Sequence, residues 1–494
     1  MFVQDILWKK RGIGVSDSKT THKTHKRKTG TAAQPAATRK PKGPREVAMD
    51  ILKRIDTDGA YSGLELNKAL SASGMSRQDA ALATEIVYGT IQRLATIDRV
   101  LEQKVKGWPS KVEPWARSLL RLSYYQLRWL DRVPAHAVVD EAVRLAKKRG
   151  HAGIAGLVNG VLRGVLRDGV VQPLPANLPP AERIALEHSY PGWMVERWIA
   201  DYGAEIAEAI CAAGNVPPHA SARVNRLRTN RDDLLASMKE AGVYAGESPV
   251  SPDGIIATRA GSLVSTDWFK EGQLSIQDES SMLVAAVADP RPGMAVLDCC
   301  AAPGGKSMHL AERMENRGDV FANDVHPHKK ALIDEQAERL GLGIVRTMTG
   351  DAKELSLVLP TESMDIVLLD APCSGLGVIR RKPEIKWNKQ PQDVESLSAL
   401  QGELLQSVRA LVKPGGTLVY STCTVAKEEN ERAIRSFLER NPEFSLDPDW
   451  PEEVLRPLRQ AEGVLPQPFE GMLQILPHQF GSDGFFIARM KRRA

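Results

Sequence analysis

The stretch LDCCAAPGGKS, residues 297–307, joins the end of an apolar run to a turn of small residues. The apolar letters that lead into it predict a β-strand that stops at Asp298. Gly304 and Gly305 allow the backbone to approach a ligand closely, and Lys306 opens a predicted helix whose N-terminus favours negative charge. Since the spacing fits neither GxxxxGKS/T nor GxGxxG, we predict a cofactor turn that is not a phosphate loop. A purely structural turn is the alternative at this point.

Strands and helices alternate from residue 293 to the end of the chain. The short apolar runs are MAVLDC, DVFAND, IVRTM, DIVLLD and TLVYST, and amphipathic stretches separate them. Such an alternation predicts parallel strands joined by right-handed crossovers, in a doubly wound, Rossmann-like sheet. Ligands of these sheets bind beyond the carboxyl ends of the strands. We therefore look for the functional residues just after each run.

Aspartates follow three successive strands after the first. Asp324 ends the second strand, where an acidic side chain can accept hydrogen bonds from both ribose hydroxyls of a nucleoside. Asp351 follows the third strand, beside the expected adenine, and Asp370 ends the fourth. A single Asp after a strand is commonly a helix cap or a turn residue. Three in succession favour a nucleoside cofactor.

The chain has five cysteines and no CxxC pair, so neither a disulfide framework nor a metal site is predicted. Cys373, in DAPCSG, and Cys423, in YSTCTVAKEEN, follow neighbouring strands, and we expect both thiols at one rim. A thiolate is a strong nucleophile, and its pKa falls beside cations or helix N-termini. Lys427 and the helix predicted after it are the candidates for this effect. The remaining cysteines are predicted to be small buried hydrophobic residues: Cys211, Cys299 and Cys300.

At 494 residues the chain is too long for one hydrophobic core, so several domains are expected. From Arg45 to about Asp168 apolar residues recur at intervals of three and four, and Pro114 and Pro134 stand where helices begin. This pattern predicts an all-helical domain. The predicted boundaries are 1–44 for a basic arm, 45–169 for the helical domain, 170–219 for a linker with short helices, 220–288 for a small α/β module and 289–494 for the domain with the doubly wound sheet.

The positive charge is concentrated in the first 45 residues, which hold twelve Lys or Arg and two Asp. With few apolar side chains this arm is predicted to be disordered, and it is either a phosphate-binding arm or a solvated leader without function. A second basic group lies in the helical domain and is either a binding face or a set of partners for helix dipoles: Arg144, Lys147, Lys148, Arg149, Arg163 and Arg167. No membrane span and no secretory cleavage site are predicted, which favours a soluble, cytoplasmic protein.

Three motifs, DCCAAPGGKS, DAPCSGLGVIRRKPEIKW and YSTCTVAKEENE, resemble those of the S-adenosylmethionine-dependent RNA cytosine-5 methyltransferases. The helical domain, which ends in LVNGVLR, resembles the NusB-like domain of the bacterial ribosomal RNA methyltransferase B group. The resemblance covers roughly residues 45–494. It implies an all-α NusB-like RNA-binding domain, a small α/β module and a class I methyltransferase domain, with 16S ribosomal RNA as the expected substrate and S-adenosylmethionine as the cofactor. Nothing in the sequence requires more than a monomer.

The resemblance also implies roles for individual residues. Cys423 would add to carbon 6 of cytosine, Cys373 would assist release of the product, and Asp370 would contact the cytosine edge near ring nitrogen 3. Ser307 in place of the usual Thr and the extra Cys299 remove no required group. The cofactor would be held by Asp324, Asp351, Asp370 and the turn residues Cys300, Ala301, Ala302, Pro303, Gly304, Gly305 and Lys306.

A basic loop follows the flexible SGLG and is suited to phosphate contacts, with Trp387 as a stacking surface; a solvated loop with a packed Trp is the alternative. Its cations are Arg380, Arg381, Lys382 and Lys386.

Four other functions are weighed against the methylation of ribosomal RNA. DNA cytosine-5 methyltransferases lack the TCT cysteine, and amino-group methyltransferases need a DPPY-like loop that is missing here. A transfer RNA target remains the main competitor. A non-catalytic RNA-binding or antitermination module is the rival from another class, and it would leave the two cysteines and three aspartates unexplained.

Overall fold

A computed structural model describes residues 42–258, 262–461 and 463–494. All but the last three residues of the predicted basic arm lie outside these ranges. None of the helices in the described ranges combines the length and the apolar character needed to cross a membrane.

The N-terminal part is a bundle of seven helices around one apolar core. Pro114 starts one helix and Pro134 caps another, as the sequence predicts. The run from Leu82 to Val105, which the periodicity predicts as helical throughout, is interrupted at Arg93, where φ is −107° and ψ is 15°. The bundle comprises α1 (Pro44–Asp58), α2 (Ser62–Ser73), α3 (Arg77–Gln92), α4 (Leu94–Glu102), α5 (Pro114–Trp129), α6 (Ala135–Arg149) and α7 (Ala152–Asp168).

Three short helices follow the proline-rich linker: α8 (Pro180–His188), α9 (Gly192–Tyr202) and α10 (Ala204–Ala213). They pack around the fully buried Trp198, together with Leu376 and Ile379 of the loop that follows the Pro-Cys motif. This segment therefore attaches the helical bundle to the loops of the catalytic domain.

A small antiparallel sheet comes next, with the strand order β2-β3-β1-β4. Sequence patterns predict β1, α11 and β3, but they miss β2, which is largely exposed, and β4, which has only three residues. Neither stretch is long or apolar enough to produce a strand signal. The elements are β1 (Ala220–Val224), α11 (Arg231–Glu240), β2 (Tyr244–Glu247), β3 (Gly254–Thr258), α12 (Asp267–Lys270) and β4 (Leu274–Ile276).

The C-terminal part is an eight-stranded sheet with helices on both faces. Its strand order is β10-β12-β9-β8-β5-β6-β7, and β11 pairs with β12. The elements are α13 (Glu279–Ala288), β5 (Ala295–Asp298), α14 (Gly305–Arg313), β6 (Asp319–Asp324), α15 (Pro327–Leu340), β7 (Val345–Thr349), β8 (Met364–Asp370), α16 (Ile385–Asn388), α17 (Pro391–Val408), β9 (Val412–Thr422), α18 (Glu431–Arg440), β10 (Phe444–Leu446), α19 (Glu452–Gln460), β11 (Met472–Ile475), α20 (Pro477–Phe480) and β12 (Phe485–Arg492).

The five strands from β5 to β9 are parallel, which confirms the predicted Rossmann-like sheet. The last three strands are antiparallel additions at the β9 edge. Since parallel strands end at the same edge, the residues after β5, β6, β7, β8 and β9 are brought together there.

A buried ion pair joins the small sheet to the catalytic domain. Arg223 of β1 has no exposed surface and donates to both carboxylate oxygens of Glu312 in α14, at 2.9 and 2.8 Å. Its guanidinium also donates to the carbonyl oxygen of Gly305, at 2.9 Å. The helix that begins at the glycine turn is thus held by a residue of the neighbouring module.

Arg223→Met should destabilise the protein strongly, because it leaves the Glu312 carboxylate buried without its cation. We expect the free energy of unfolding to fall by about 3–5 kcal/mol. Urea denaturation followed by tryptophan fluorescence measures this loss. The double variant Arg223→Met/Glu312→Leu removes both charges and should recover most of it. A single variant as stable as the parent protein would contradict the assigned role of this pair.

Candidate active site

A cavity of about 380 Å3 opens at the carboxyl edge of the parallel strands. Residues after five different strands line it, as expected for ligand sites of such sheets. The predicted site residues that line this cavity are Cys300, Ala302, Lys306, Asp324, Asp351, Asp370, Cys373 and Cys423.

The other residues of the glycine turn do not line the cavity. Ala301 and Gly304 are buried behind it, Gly305 is partly buried and Pro303 is exposed. Gly304 has a φ of +105°, a backbone conformation that side chains with a Cβ rarely adopt. The glycine therefore allows the chain to turn from β5 into α14, so that Lys306 at the start of the helix reaches the cavity.

The two predicted catalytic sulfurs are 3.4 Å apart. This proximity follows from strand register, because Asp370 at the end of β8 is paired with Ser421 near the end of β9. Each cysteine lies just beyond its strand, so the two loops meet above the same edge. The spacing places both thiols at one point of the cavity, as the sequence predicts.

The two thiols differ in their ionisation. The hydrogen bond from the Cys373 thiol has the largest effect on Cys423 and lowers its pKa to about 7, against the opposing effect of burial. The positive charges of Lys382 and Lys306 act in the same direction. The same hydrogen bond, together with burial, raises the pKa of Cys373 well above its usual range. Cys423 is therefore the thiol of the pair that ionises first, and its thiolate can accept a hydrogen bond from the Cys373 thiol.

The other three cysteines stay protonated. Burial raises the pKa of Cys299 and Cys300 well above their usual range and that of Cys211 to about 12. Cys211 and Cys299 are buried, as predicted, whereas Cys300 is partly exposed on the cavity wall. Of the five cysteines, Cys423 alone has a pKa below the usual value.

Lys427 and a helix N-terminus are not what activates Cys423, so this prediction is wrong. The Lys427 ammonium lies over the ring of Tyr202, 5.0 Å from its centre, and α18 begins only at Glu431. Residues 427–430 form a turn, so the helix starts further along the chain from Cys423 than predicted. Lys382 and Lys306 supply the charge instead.

Asp370 is oriented by two hydrogen bonds on the cavity wall. Lys306 Nζ donates to one carboxylate oxygen and Ser421 Oγ to the other, each at 2.8 Å. Burial lowers the pKa of Lys306, but the pairing with Asp370 outweighs this effect and raises it, so the lysine carries its charge. Sequence reasoning missed Ser421, although its register opposite Asp370 in the neighbouring strand marks it.

Asp324 ties the end of β6 to the glycine turn. Its carboxylate accepts hydrogen bonds from the backbone N–H groups of His326, at 3.0 Å, and Ala302, at 3.3 Å. Asp351 accepts from the N–H of Lys353 at 2.9 Å. Together with Asp370, these carboxylates present hydrogen-bond acceptors at three strand ends. Such a set fits a cationic nucleoside with ribose hydroxyls and an amino group, and it disfavours phosphates.

The helical bundle supplies one wall of the cavity, through Tyr61, Gly63, Leu64 and Tyr88. A buried contact fixes this wall, because the carboxylate of Glu384 accepts hydrogen bonds from Ser62 N at 3.3 Å and Ser62 Oγ at 2.8 Å. No motif in the sequence indicates this contribution.

The basic loop does not form the predicted phosphate-binding surface. Lys386 is fully buried and donates to Gln92 O, Ser189 O and Asn215 Oδ1, at 3.0, 3.1 and 2.7 Å. The Trp387 indole donates to Ile91 O at 2.8 Å and packs against the core of the helical bundle. Both residues hold domains together, so the prediction that they contact RNA is wrong. The alternative is a solvated loop with a packed Trp, and of this alternative only the packed Trp is correct.

The two arginines of this loop are also used internally. Arg380 is buried and donates to Ala213 O at 3.1 Å, while Arg381 pairs with Asp278 at 2.9 Å and Asp483 at 2.8 Å. Both Arg381 and Lys382 line the cavity, but Arg381 already has its carboxylate partners. Lys382 is therefore the cation of this loop that remains for a ligand or for the thiolate.

Part of the second basic group is also engaged within the helical bundle. Lys148 pairs with Glu46 at 2.7 Å, and Arg149 pairs with Asp50 at 2.8 Å. These contacts fasten α6 to α1, so the two residues have a structural role.

Comparisons with known proteins agree with this architecture. The family model of the 16S rRNA methyltransferase RsmB/F matches residues 285–491, and the NusB family model matches residues 42–167. The ferredoxin-like domain of RsmF/B-like methyltransferases matches residues 190–263. The predicted order of a NusB-like domain, a small α/β module and a methyltransferase domain is confirmed.

Two curated relatives extend over nearly the whole chain. The probable ribosomal RNA small subunit methyltransferase B of Bacillus subtilis is 44% identical over 449 residues, which are 91% of this chain and 98% of that protein. Its counterpart in Synechocystis is 36% identical and covers 91% of this chain and 99% of its own length.

Solved structures have the same fold. The crystal structure of PH0851 covers 91% of this chain and 99% of its own, with a TM-score of 0.76 and 29% identity. NSun6 from Pyrococcus horikoshii, solved with SFG, covers 62% of this chain and 99% of its own, with a TM-score of 0.55. At 23% identity this second likeness shows the fold alone. With motifs, fold and relatives in agreement, the chain belongs to the RsmB/F family of 16S rRNA methyltransferases, enzymes that use S-adenosylmethionine as their methyl donor.

Proposed function

We propose that this enzyme methylates carbon 5 of a cytidine in 16S ribosomal RNA through a transient bond between Cys423 and the base. The observation that carries the proposal is the pair of sulfurs 3.4 Å apart in a single cavity with three aspartates. The curated relatives named ribosomal RNA small subunit methyltransferase B support the choice of RNA.

The cofactor end of the cavity is assigned to Asp324, Asp351 and the glycine turn. S-adenosylmethionine, when bound, supplies an electrophilic methyl group on a positively charged sulfur. The acceptor set at the strand ends suits the hydroxyls and positive charge of this molecule. Asp324 can accept hydrogen bonds from the ribose while its contact with the Ala302 N–H keeps the turn in place.

Cys423 is assigned the role of the nucleophile. With its pKa lowered to about 7, Cys423 carries the thiolate at neutral pH far more often than an ordinary cysteine does. Addition of sulfur to carbon 6 of cytosine forms a carbon–sulfur bond and moves electron density to carbon 5. Carbon 5 then becomes able to form its bond to the methyl group.

Cys373 is assigned to product release, in which carbon 5 loses its proton and the bond between carbon 6 and sulfur breaks. The pKa of Cys373 is raised mainly by its hydrogen bond to Cys423 and by burial, and the charge on Cys423 adds to this. Once Cys423 is bonded to the base, it is neutral and no longer holds the Cys373 proton. Formation of the adduct therefore lowers the pKa of Cys373, so that its thiol can release a proton to solvent and the resulting thiolate can accept the proton that carbon 5 loses.

Asp370 is assigned to the cytosine edge, near ring nitrogen 3. Negative charge develops on the ring when sulfur attacks, and a shared proton at this edge offsets it. Lys306 and Ser421 hold the carboxylate from the side of the protein. The helical bundle, whose residues close one side of the cavity, and the ferredoxin-like module are assigned to positioning the RNA.

Incubation with methyl-labelled S-adenosylmethionine should transfer label to 16S ribosomal RNA, and mapping should locate it as 5-methylcytosine. Free 16S RNA, assembled small subunits and transfer RNA are compared in parallel. Label in transfer RNA alone would show that transfer RNA, and not 16S ribosomal RNA, is the substrate. Absence of label from all three, with cofactor binding intact, would favour an RNA-binding function without catalysis.

The two cysteine variants should separate attack from release. Cys423→Ala is expected to abolish both methylation and the covalent adduct, because the nucleophile is lost. Cys373→Ala should lower turnover by about 10²–10⁴-fold, the usual contribution of a general acid or base. Attack by Cys423 should be slower without the neighbouring thiol, but release should be impaired more, so an adduct that survives denaturing electrophoresis accumulates. Cys211→Ala, at a buried cysteine outside the cavity, is the control. The reverse pattern of adducts would exchange the two roles.

Asp324→Asn should weaken binding of S-adenosylmethionine. Loss of a charged hydrogen-bond acceptor costs about 1.5–3 kcal/mol, which corresponds to a dissociation constant about 10–150-fold higher. Isothermal titration calorimetry of the full chain measures it. Asp334→Asn, at an exposed aspartate of α15 that pairs with Lys330, is the matched control and should bind as the parent does. Equal affinities of the two variants would remove Asp324 from the cofactor site.

A further inference from the structure

Glu429 is a buried carboxylate that the proposed reaction does not use. It has no exposed surface and does not line the cavity, although it lies only six residues after Cys423. Among the described residues it forms no ion pair, and burial raises its pKa. A side chain of this kind is retained inside a protein only when hydrogen bonds compensate for the loss of water.

Those hydrogen bonds come from the two cysteine loops and from Gln401 of α17. One oxygen, Oε2, accepts from the backbone N–H of Ser374 at 2.8 Å and from Gln401 Nε2 at 2.9 Å. The other, Oε1, receives the hydroxyl of Ser374 and lies 3.4 Å from the hydroxyl of Thr424. Ser374 directly follows Cys373, and Thr424 directly follows Cys423.

Further hydrogen bonds reinforce the link that Glu429 forms between the two cysteine loops. The hydroxyls of Ser374 and Thr424 are 2.8 Å apart, so the two loops also bind each other. Gln401 donates to Pro372 O at 2.9 Å as well as to Glu429, and Tyr420 donates to the backbone oxygen of Glu429 at 2.6 Å. Ser374, Thr424 and Pro372 are each adjacent in sequence to one of the two cysteines, so these hydrogen bonds hold the chain close to both sulfurs.

We propose that Glu429 is a positioning residue that sets the distance between the sulfurs of Cys373 and Cys423 by spanning the two loops that carry them. The inference deepens the proposed function and rests on it. Glu429 acts through the length of its side chain and its acceptor oxygens, and its charge is not required. A hydrogen bond weakens steeply when its atoms move apart, so loss of this spacing removes the thiol that keeps Cys423 ionised.

Two substitutions separate length from charge. Glu429→Gln keeps the length, and its amide oxygen can still accept from Ser374 N and Gln401, while its amide hydrogens face hydroxyls that are able to accept. Glu429→Asp keeps the charge but is one methylene shorter and cannot reach both loops. The proposal therefore requires the aspartate variant to be defective and the glutamine variant to resemble the parent.

The readout is the rate at which iodoacetamide alkylates Cys423 at different pH values, followed by mass spectrometry of its peptide. The midpoint should lie near pH 7 in the parent and in Glu429→Gln. In Glu429→Asp it should move up toward the value of an ordinary cysteine, about 8.5. Adduct formation with 16S RNA should fall in parallel. Glu279→Asp, another buried carboxylate that binds Ser221, is the matched control and should leave the midpoint unchanged.

An unchanged midpoint in Glu429→Asp overturns the proposal, and so does a shift in Glu429→Gln that exceeds the one in Glu429→Asp. Thermal unfolding identifies a variant that fails to fold, and a folded Glu429→Ala then replaces it with the same expected shift as the aspartate. Alkylation needs neither RNA nor cofactor. If the parent transfers no methyl group but the midpoints differ as expected, the positioning role stands while the proposed function fails.

Discussion

The pairing of β8 with β9 is the constraint on which the site depends. Parallel neighbours in register end together, and Asp370 opposite Ser421 brings the loops of Cys373 and Cys423 to one point. At 3.4 Å the two sulfurs are within hydrogen-bond distance, and their contact lowers the pKa of Cys423 and raises that of Cys373. Two identical side chains thereby acquire different chemistry without any change of residue type.

The catalytic domain does not form this cavity alone. A wall comes from the helical bundle, and the residues that fix it, Glu384 and Lys386, belong to the segment that follows the Pro-Cys loop. On the other side, Arg223 of the ferredoxin-like module binds the helix that begins at the glycine turn. Buried polar groups make these junctions specific, since each must meet its own hydrogen-bond partners to compensate for the loss of water. The three parts of the chain therefore act as one enzyme.

Local patterns were enough to predict the strand ends, the aspartates after them and the meeting of the two cysteines, because short-range sequence determines where strands stop. They were not enough for Lys386, whose partners Gln92 and Asn215 lie far away in the chain. A basic side chain in a loop looks the same in the sequence whether it faces a phosphate or a carbonyl oxygen of another domain. The turn before Glu431 misled the sequence prediction in the same way, since a shift of a few residues moved the helix start away from Cys423.

The two carboxylates near the sulfurs, Asp370 and Glu429, have different surroundings and therefore different roles. Asp370 is bound to a lysine and lines the cavity, so it can interact with a ring whose charge changes during the reaction. Glu429 lies behind the loops and is surrounded by neutral donors. A lysine in place of these donors would add a cation close to both thiols and would lower the pKa of Cys373 as well as that of Cys423, which would reduce the difference between them. Neutral donors fix the geometry and leave the assignment of the proton to the two sulfurs.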